Sequence, residues 1–211
     1  MHRTIRRSVI PAAMSAACAA AASASVTTAS YAPCESTEGL GSFRATVTYA
    51  HSGGSTATLT IDLLNDTAPA LGGYITGLAL NGGSGVSSMS FVSCSNRSFE
   101  DLGSPVTANP YGDFMAGAAI GSNWLGGGSP NAGIGVGMVT TFVFTMAGGA
   151  SDLALLTAED CLTGDGYAMA VRFRGGTGDW SDKVIGCALP APGAISALAA
   201  VALIGSRRRL R

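Results

Sequence analysis

The chain has 211 residues, 47% of them apolar, 12% charged and 30 of them glycine, with a net charge of −1. All thirteen acidic residues lie between Glu35 and Asp182, while seven of the twelve basic ones sit in the two terminal segments, so the stretch between carries −8 and repels nucleic acid and anionic polysaccharide unless divalent cations bridge them.

At the N-terminus, Arg3, Arg6 and Arg7 form a positive region and Val9 to Ala22 an alanine-rich apolar one. Ala22-Ser23-Ala24 is a small-x-small cleavage site, which makes residues 1–24 a signal peptide; Ser30-Tyr31-Ala32 is a second site, placing cleavage as late as residue 32. The residues around Arg6-Arg7 match the twin-arginine pattern poorly, so the general secretory route is expected. Ser15-Ala16-Ala17-Cys18 is similar to a lipobox without its leucine.

Residues 33–188 are long enough for one core, and their texture is all-β. Apolar and polar residues alternate in Phe43–Tyr49 and again at Leu59, Ile61 and Leu63. The same period recurs at Phe142, Phe144 and Met146, and at Tyr167, Met169, Val171 and Phe173. Turn signals separate these runs: His51-Ser52-Gly53-Gly54, Asn65-Asp66, Asn81-Gly82-Gly83 and Gly175-Gly176. Short alternating strands with glycine-rich turns predict an antiparallel β-sandwich or jelly roll. One short helix is expected near Ser151 to Leu162, where Thr157 and Asp160 fit a capping box. Leu102 to Gly137 holds ten glycines and three prolines and reads as loop, ordered only in part.

Four cysteines remain after the signal peptide: Cys34, Cys94, Cys161 and Cys187. An even number in an exported chain predicts two disulfides, with three connectivities open. Chain ends lie close together in compact domains, which favours Cys34 with Cys187 and leaves Cys94 with Cys161. Zinc is disfavoured because there is no CxxC and almost no histidine.

Candidates for chemistry are few. His51, the only histidine beyond the signal peptide, sits in a Ser-Gly-Gly turn and reads as a solvated loop residue, which leaves no Ser-His-Asp or Cys-His site. Glu100, Asp101 and Asp113 could supply paired carboxylates for a glycan-active enzyme, though loop acids are usually solvated. Gly133-Ile134-Gly135-Val136-Gly137 lacks the Lys-Ser/Thr step of a phosphate loop and reads as flexible. Glu159, Asp160 and Asp165 make an oxygen-rich turn suited to calcium, against the simpler reading of acids capping a helix and a turn; no other cofactor is expected. Tyr111, Trp124 and Trp180 lie beside glycines, where exposed rings would stack on sugar; the simpler reading has them buried at the ends of the fold. Asp182 reads as a surface ion pair with Arg172 or Lys183.

The chain then changes character at residues 189–211. Leu189 to Gly205 holds 17 residues without a charge, about 26 Å as a helix, at the lower limit of a membrane span. Pro190 and Pro192 keep the chain extended before it, and Arg207, Arg208, Arg209 and Arg211 follow as a stop-transfer cluster that places the body outside. No polar face interrupts Ala194 to Ile204, which argues against an amphipathic helix packed on the body.

This tripartite tail resembles the PEP-CTERM sorting signal of bacterial exosortase substrates, in the variant that reads Val-Pro-Ala-Pro. The matching residues are Pro190, Ala191 and Pro192, with Ala191 where the best-known form has glutamate. The resemblance implies export, tethering in the inner membrane by the C-terminal helix, and tail removal by an exosortase-like processing enzyme on the way to the envelope, cell surface or extracellular matrix. The body also resembles a recurrent ectodomain of such proteins, in Ala45–Tyr49, Ala57–Asn65, Gly73–Leu78, Val171–Gly175 and Ser181–Val184. That resemblance implies a displayed β-sandwich and no activity. The expected function is therefore a non-enzymatic envelope or matrix protein. The alternative is a carbohydrate-binding module for exopolysaccharide, which requires Trp124 or Trp180 on an exposed face.

Overall fold

The computed structural model describes residues 24–125, 127–163 and 166–190. In chain order the elements are β1 (Ser25–Ser36), β2 (Phe43–His51), β3 (Thr56–Asn65), β4 (Gly72–Leu80), β5 (Val86–Cys94), β6 (Phe99–Asp101), β7 (Val106–Thr107), β8 (Asp113–Phe114), β9 (Ala116–Ile120), β10 (Val139–Gly148), α1 (Ala150–Leu155), β11 (Met169–Gly176) and β12 (Asp182–Ala188). Among the described residues one 3-10 turn is present, at Pro130–Ala132.

The fold is all-β, as the alternation predicts. Phe43, Val47 and Tyr49 on β2, Leu59, Ile61 and Leu63 on β3, and Phe142, Phe144 and Met146 on β10 all turn inward, while the residues between them are more exposed. The ladders, however, form one sheet instead of two. Ten strands run in the order β5-β10-β3-β2-β1-β12-β11-β4-β9-β6, and β7-β8 is a separate ribbon. The sheet curls until β5 lies against β9 and the ring of Phe99, leading β6, meets Phe142 of β10 edge-on at 5.0 Å. Its inner face encloses the main core.

Part of the outer face is covered as well. Ala79 of β4, Ala170 of β11 and Ile185 of β12 form a second, smaller core with Val106, Ala108, Phe114 and Trp124. Residues 102–125 are thus mostly a packed layer, and the expectation of a partly ordered loop is corrected for them. They contain β9, whose Ala-Gly-Ala-Ala-Ile is buried throughout. The stretch Gly133 to Gly137 is also tied down: Ile134 bridges Ile75 of β4, exchanging bonds of 2.9 and 3.0 Å.

The helix is shorter than expected. After α1 the chain turns at Thr157, whose hydroxyl takes the amide of Asp160 at 3.3 Å and donates to its carboxylate at 2.8 Å. The capping residues thus shape a tight turn and do not extend α1. Among the described residues no helix is long and apolar enough to cross a membrane. Residues 1–23 of the signal peptide and Ala191 to Arg211 of the tail lie outside the described residues.

Candidate functional site

The densest polar arrangement is built on Asp182, at the start of β12. Its side chain is buried, and its two oxygens accept from six donors. Ser36 Oγ lies at 2.8 Å and Thr37 Oγ1 at 2.9 Å; the amides of Glu38, Leu40, Gly41 and Lys183 lie between 2.7 and 3.0 Å. The turn from β1 to β2 therefore wraps around one carboxylate. Burial pulls the Asp182 carboxyl up, but the bonds from Gly41, Ser36, Leu40 and Thr37 outweigh it and hold the group below the usual carboxylate range. The expected surface ion pair is corrected, because Asp182 is an internal anchor for a loop.

Arg172, its other expected partner, lies on the outer face of β11 beneath Trp124. Its Nη1 donates to the Trp124 carbonyl at 2.7 Å, and its Nε has no partner. Burial, then the nearby Arg174, lowers the guanidinium to about 10. Arg174 holds the Gly128 carbonyl at 3.2 Å. Both arginines grip backbone of the outer layer.

The Cys34–Cys187 disulfide is present, joining β1 to β12 with 5.8 Å between the Cα atoms. The second expected bridge is not: Cys94 and Cys161 are free thiols. Cys94 ends β5, whereas the Cys161 carbonyl bonds the amide of Gly83, just before β5 begins. A nine-residue strand therefore separates them, roughly 26 Å at 3.3 Å per residue and far beyond the reach of a disulfide. Burial, then Asp160, pushes the Cys161 thiol up to about 12, and burial also raises Cys94.

The aromatic candidates are engaged inside the protein. Trp124 is 3% exposed in the outer core, so it offers no ring to sugar and that expectation is corrected. Trp180 is half-buried against Gly73 and Gly176, and its indole N–H donates to the Leu71 carbonyl at 2.9 Å. Tyr111 is half-buried too; its hydroxyl donates to the Lys183 carbonyl at 3.0 Å and its ring meets Tyr167 edge-on.

His51 is buried, 4% exposed, with Nε2 3.0 Å from the Gly54 carbonyl, so the solvated reading is corrected. It closes the β2–β3 hairpin. Asp101 accepts from the amide of Gly103 and Asp113 from the Thr107 hydroxyl, while Glu100 faces solvent one residue away on β6. Glu159 and Asp160 sit in the turn after α1, where the hydroxyl of Tyr31 donates to the Ala158 and Glu159 carbonyls. Asp165 lies outside the described residues. Among the described residues, no three His, Cys, Asp or Glu side chains gather as a metal site.

An open groove of about 340 Å³ lies where the chain leaves the sheet, lined by Thr28, Ala29, Ser30, Thr46, Glu159, Leu189 and Pro190. There the Leu189 amide donates to the Ser30 carbonyl at 2.7 Å, carrying the line of β12 one residue further along β1. Sequence reasoning missed the Asp182 anchor and this exit. The signal for the anchor is the Ser36-Thr37 pair followed by Gly39 and Gly41, a turn rich in donors, but its acceptor lies about 140 residues away. No family model, no curated protein and no solved structure matches the chain.

Proposed function

We propose that this is an exported, non-enzymatic protein of the cell envelope or extracellular matrix, delivered by exosortase-type sorting. The observation that carries the reading is the tail. The body ends at Ala188, and Pro190-Ala191-Pro192, the uncharged stretch to Gly205 and the arginine cluster follow at once. The exposed Cys34–Cys187 disulfide supports an oxidising destination. The non-enzymatic part is supported by the occupation of the candidate groups: His51 and Asp182 hold turns, and both tryptophans are packed.

In the accompanying fold reading, the halves β5-β10-β3-β2-β1 and β12-β11-β4-β9-β6 are the two layers of a flattened sandwich. Signal cleavage after Ala24 leaves β1 whole. Cleavage after Ala32 would remove Tyr31, which is 1% exposed, together with the residues of β1 that pair with β2. The earlier site is therefore the one proposed.

Intact-mass spectrometry of the native protein from cells and medium tests the reading. A mature form that begins at Ser25 and ends near the Pro190-Ala191-Pro192 motif is expected. Retention of Arg211 in the surface form would replace sorting with a plain membrane anchor.

A further inference from the structure

The strand order divides the sheet into two runs of five, β5-β10-β3-β2-β1 and β12-β11-β4-β9-β6, and the β1–β12 ladder is the one strand pairing in that order that joins them. It is short, with residues Tyr31 to Ser36 facing Val184 to Ala188, and a bulge at Cys34 interrupts it. It also has the largest sequence separation, joining the first described strand to the last.

The molecule's strongest cross-links gather on this one ladder. The disulfide bridges it near the C-terminal end of β12. At the other end Asp182 takes its donors from the turn that follows β1. Thr37 and Lys183 add a reciprocal pair, with the Thr37 amide on the Lys183 carbonyl and the Lys183 amide on the Thr37 hydroxyl. No other strand pair carries a covalent bond among the described residues, although each of the ladders β2–β3 and β3–β10 is longer.

We propose that the β1–β12 ladder is the closing seam of the fold, held by two locks of different chemistry, the Asp182 carboxylate and the Cys34–Cys187 bond, the second of which is added once the chain reaches an oxidising compartment. The seam cannot form until β12 has been delivered, and β12 is followed immediately by the tail. Closure joins two thiols with loss of two protons and two electrons, which the thiol oxidants of that compartment accept. Cys34 and Cys187 are both exposed, so oxidant and reductant reach them in the folded protein. Either lock alone holds the seam; loss of both opens it while the ladders within each half persist longer.

Native-state hydrogen exchange on the purified protein tests this in four states: oxidised and reduced, each with Asp182 and with Asp182→Asn. Amides of Glu35, Ile185 and Cys187 report the seam, and those of Thr60, Ile61 and Val143 report the interior of one half. With both locks released, seam amides should exchange on the order of a hundredfold faster than interior ones, and with one released less than about tenfold faster. Seam and interior amides moving in step in all four states would overturn the proposal, as would one lock alone giving the whole effect. Should Asp182→Asn not fold, Ser36→Ala with Thr37→Val removes hydroxyl donors from the same carboxylate and serves as the weakened lock.

Discussion

Asp182 shows how one side chain can organise a stretch of irregular backbone. The amides of Glu38, Leu40 and Gly41 have no strand partner, and a carboxylate satisfies all three at once. Replacement by alanine leaves those donors unpaired where water is scarce, and a loss of about 2–4 kcal/mol is expected in urea unfolding. The acid limb of stability should carry the same signature. Because the folded carboxyl titrates below its ordinary range, its contribution is complete above the unfolded-state pKa and is lost as pH falls through the folded one. Asp182→Asn should therefore flatten the decline in melting temperature between roughly pH 5 and pH 2. A second residue-scale test is Gly176, where an added methyl would collide with the indole of Trp180. Gly176→Ala should displace the ring, break its bond to Leu71 and cost about 1–3 kcal/mol, with a red shift in tryptophan emission as the readout.

At the level of elements, legibility in the sequence followed the number of buried faces. β2, β3 and β10 each hide one face, so their alternation is written in Phe43–Tyr49, Leu59–Leu63 and Phe142–Met146. β9 hides both, and Ala-Gly-Ala-Ala-Ile carries no period to read. Small residues are required there: a side chain at Gly117 would run into the Leu78 carbonyl of β4. The outer layer was obscured for a related reason, since its glycines and prolines look like loop while its apolar residues are spread over Val106, Phe114 and Trp124. Local patterns also hid the acceptor for the Ser36-Thr37 turn, which only tertiary pairing supplies. A prediction belongs to β1: Tyr31→Phe removes the bonds to the Ala158 and Glu159 carbonyls and should cost about 1 kcal/mol by denaturant titration, with the β1–β2 ladder intact.

For the whole molecule, the all-β class could be read from texture, but one curled sheet could not be told from two flat ones. That difference lies in which distant strands meet. Only the cysteines hinted at it, and they were informative for Cys34–Cys187 because both flank the body. Cys94 and Cys161 carried no such constraint. The 153-residue separation gives the bridge a chain-entropy contribution of about 5 kcal/mol. Reduction, or Cys34→Ser with Cys187→Ser, should lower the melting temperature by about 10–20 °C for a body of this size, measured by calorimetry with and without reductant.

The same bridge sets what a pull on the chain would do. Tension between Ser25 and Pro190 runs from β1 through Cys34 and Cys187 and out again, leaving the chain between the two cysteines as slack that never tightens. Stretched in an oxidising medium, the described chain can lengthen by the few residues outside the bridge, to roughly 45 Å at full extension; reduced, it would unravel to several hundred. Mechanically the protein is a short link with a domain hung on its side, and the load bypasses every strand from β2 to β11.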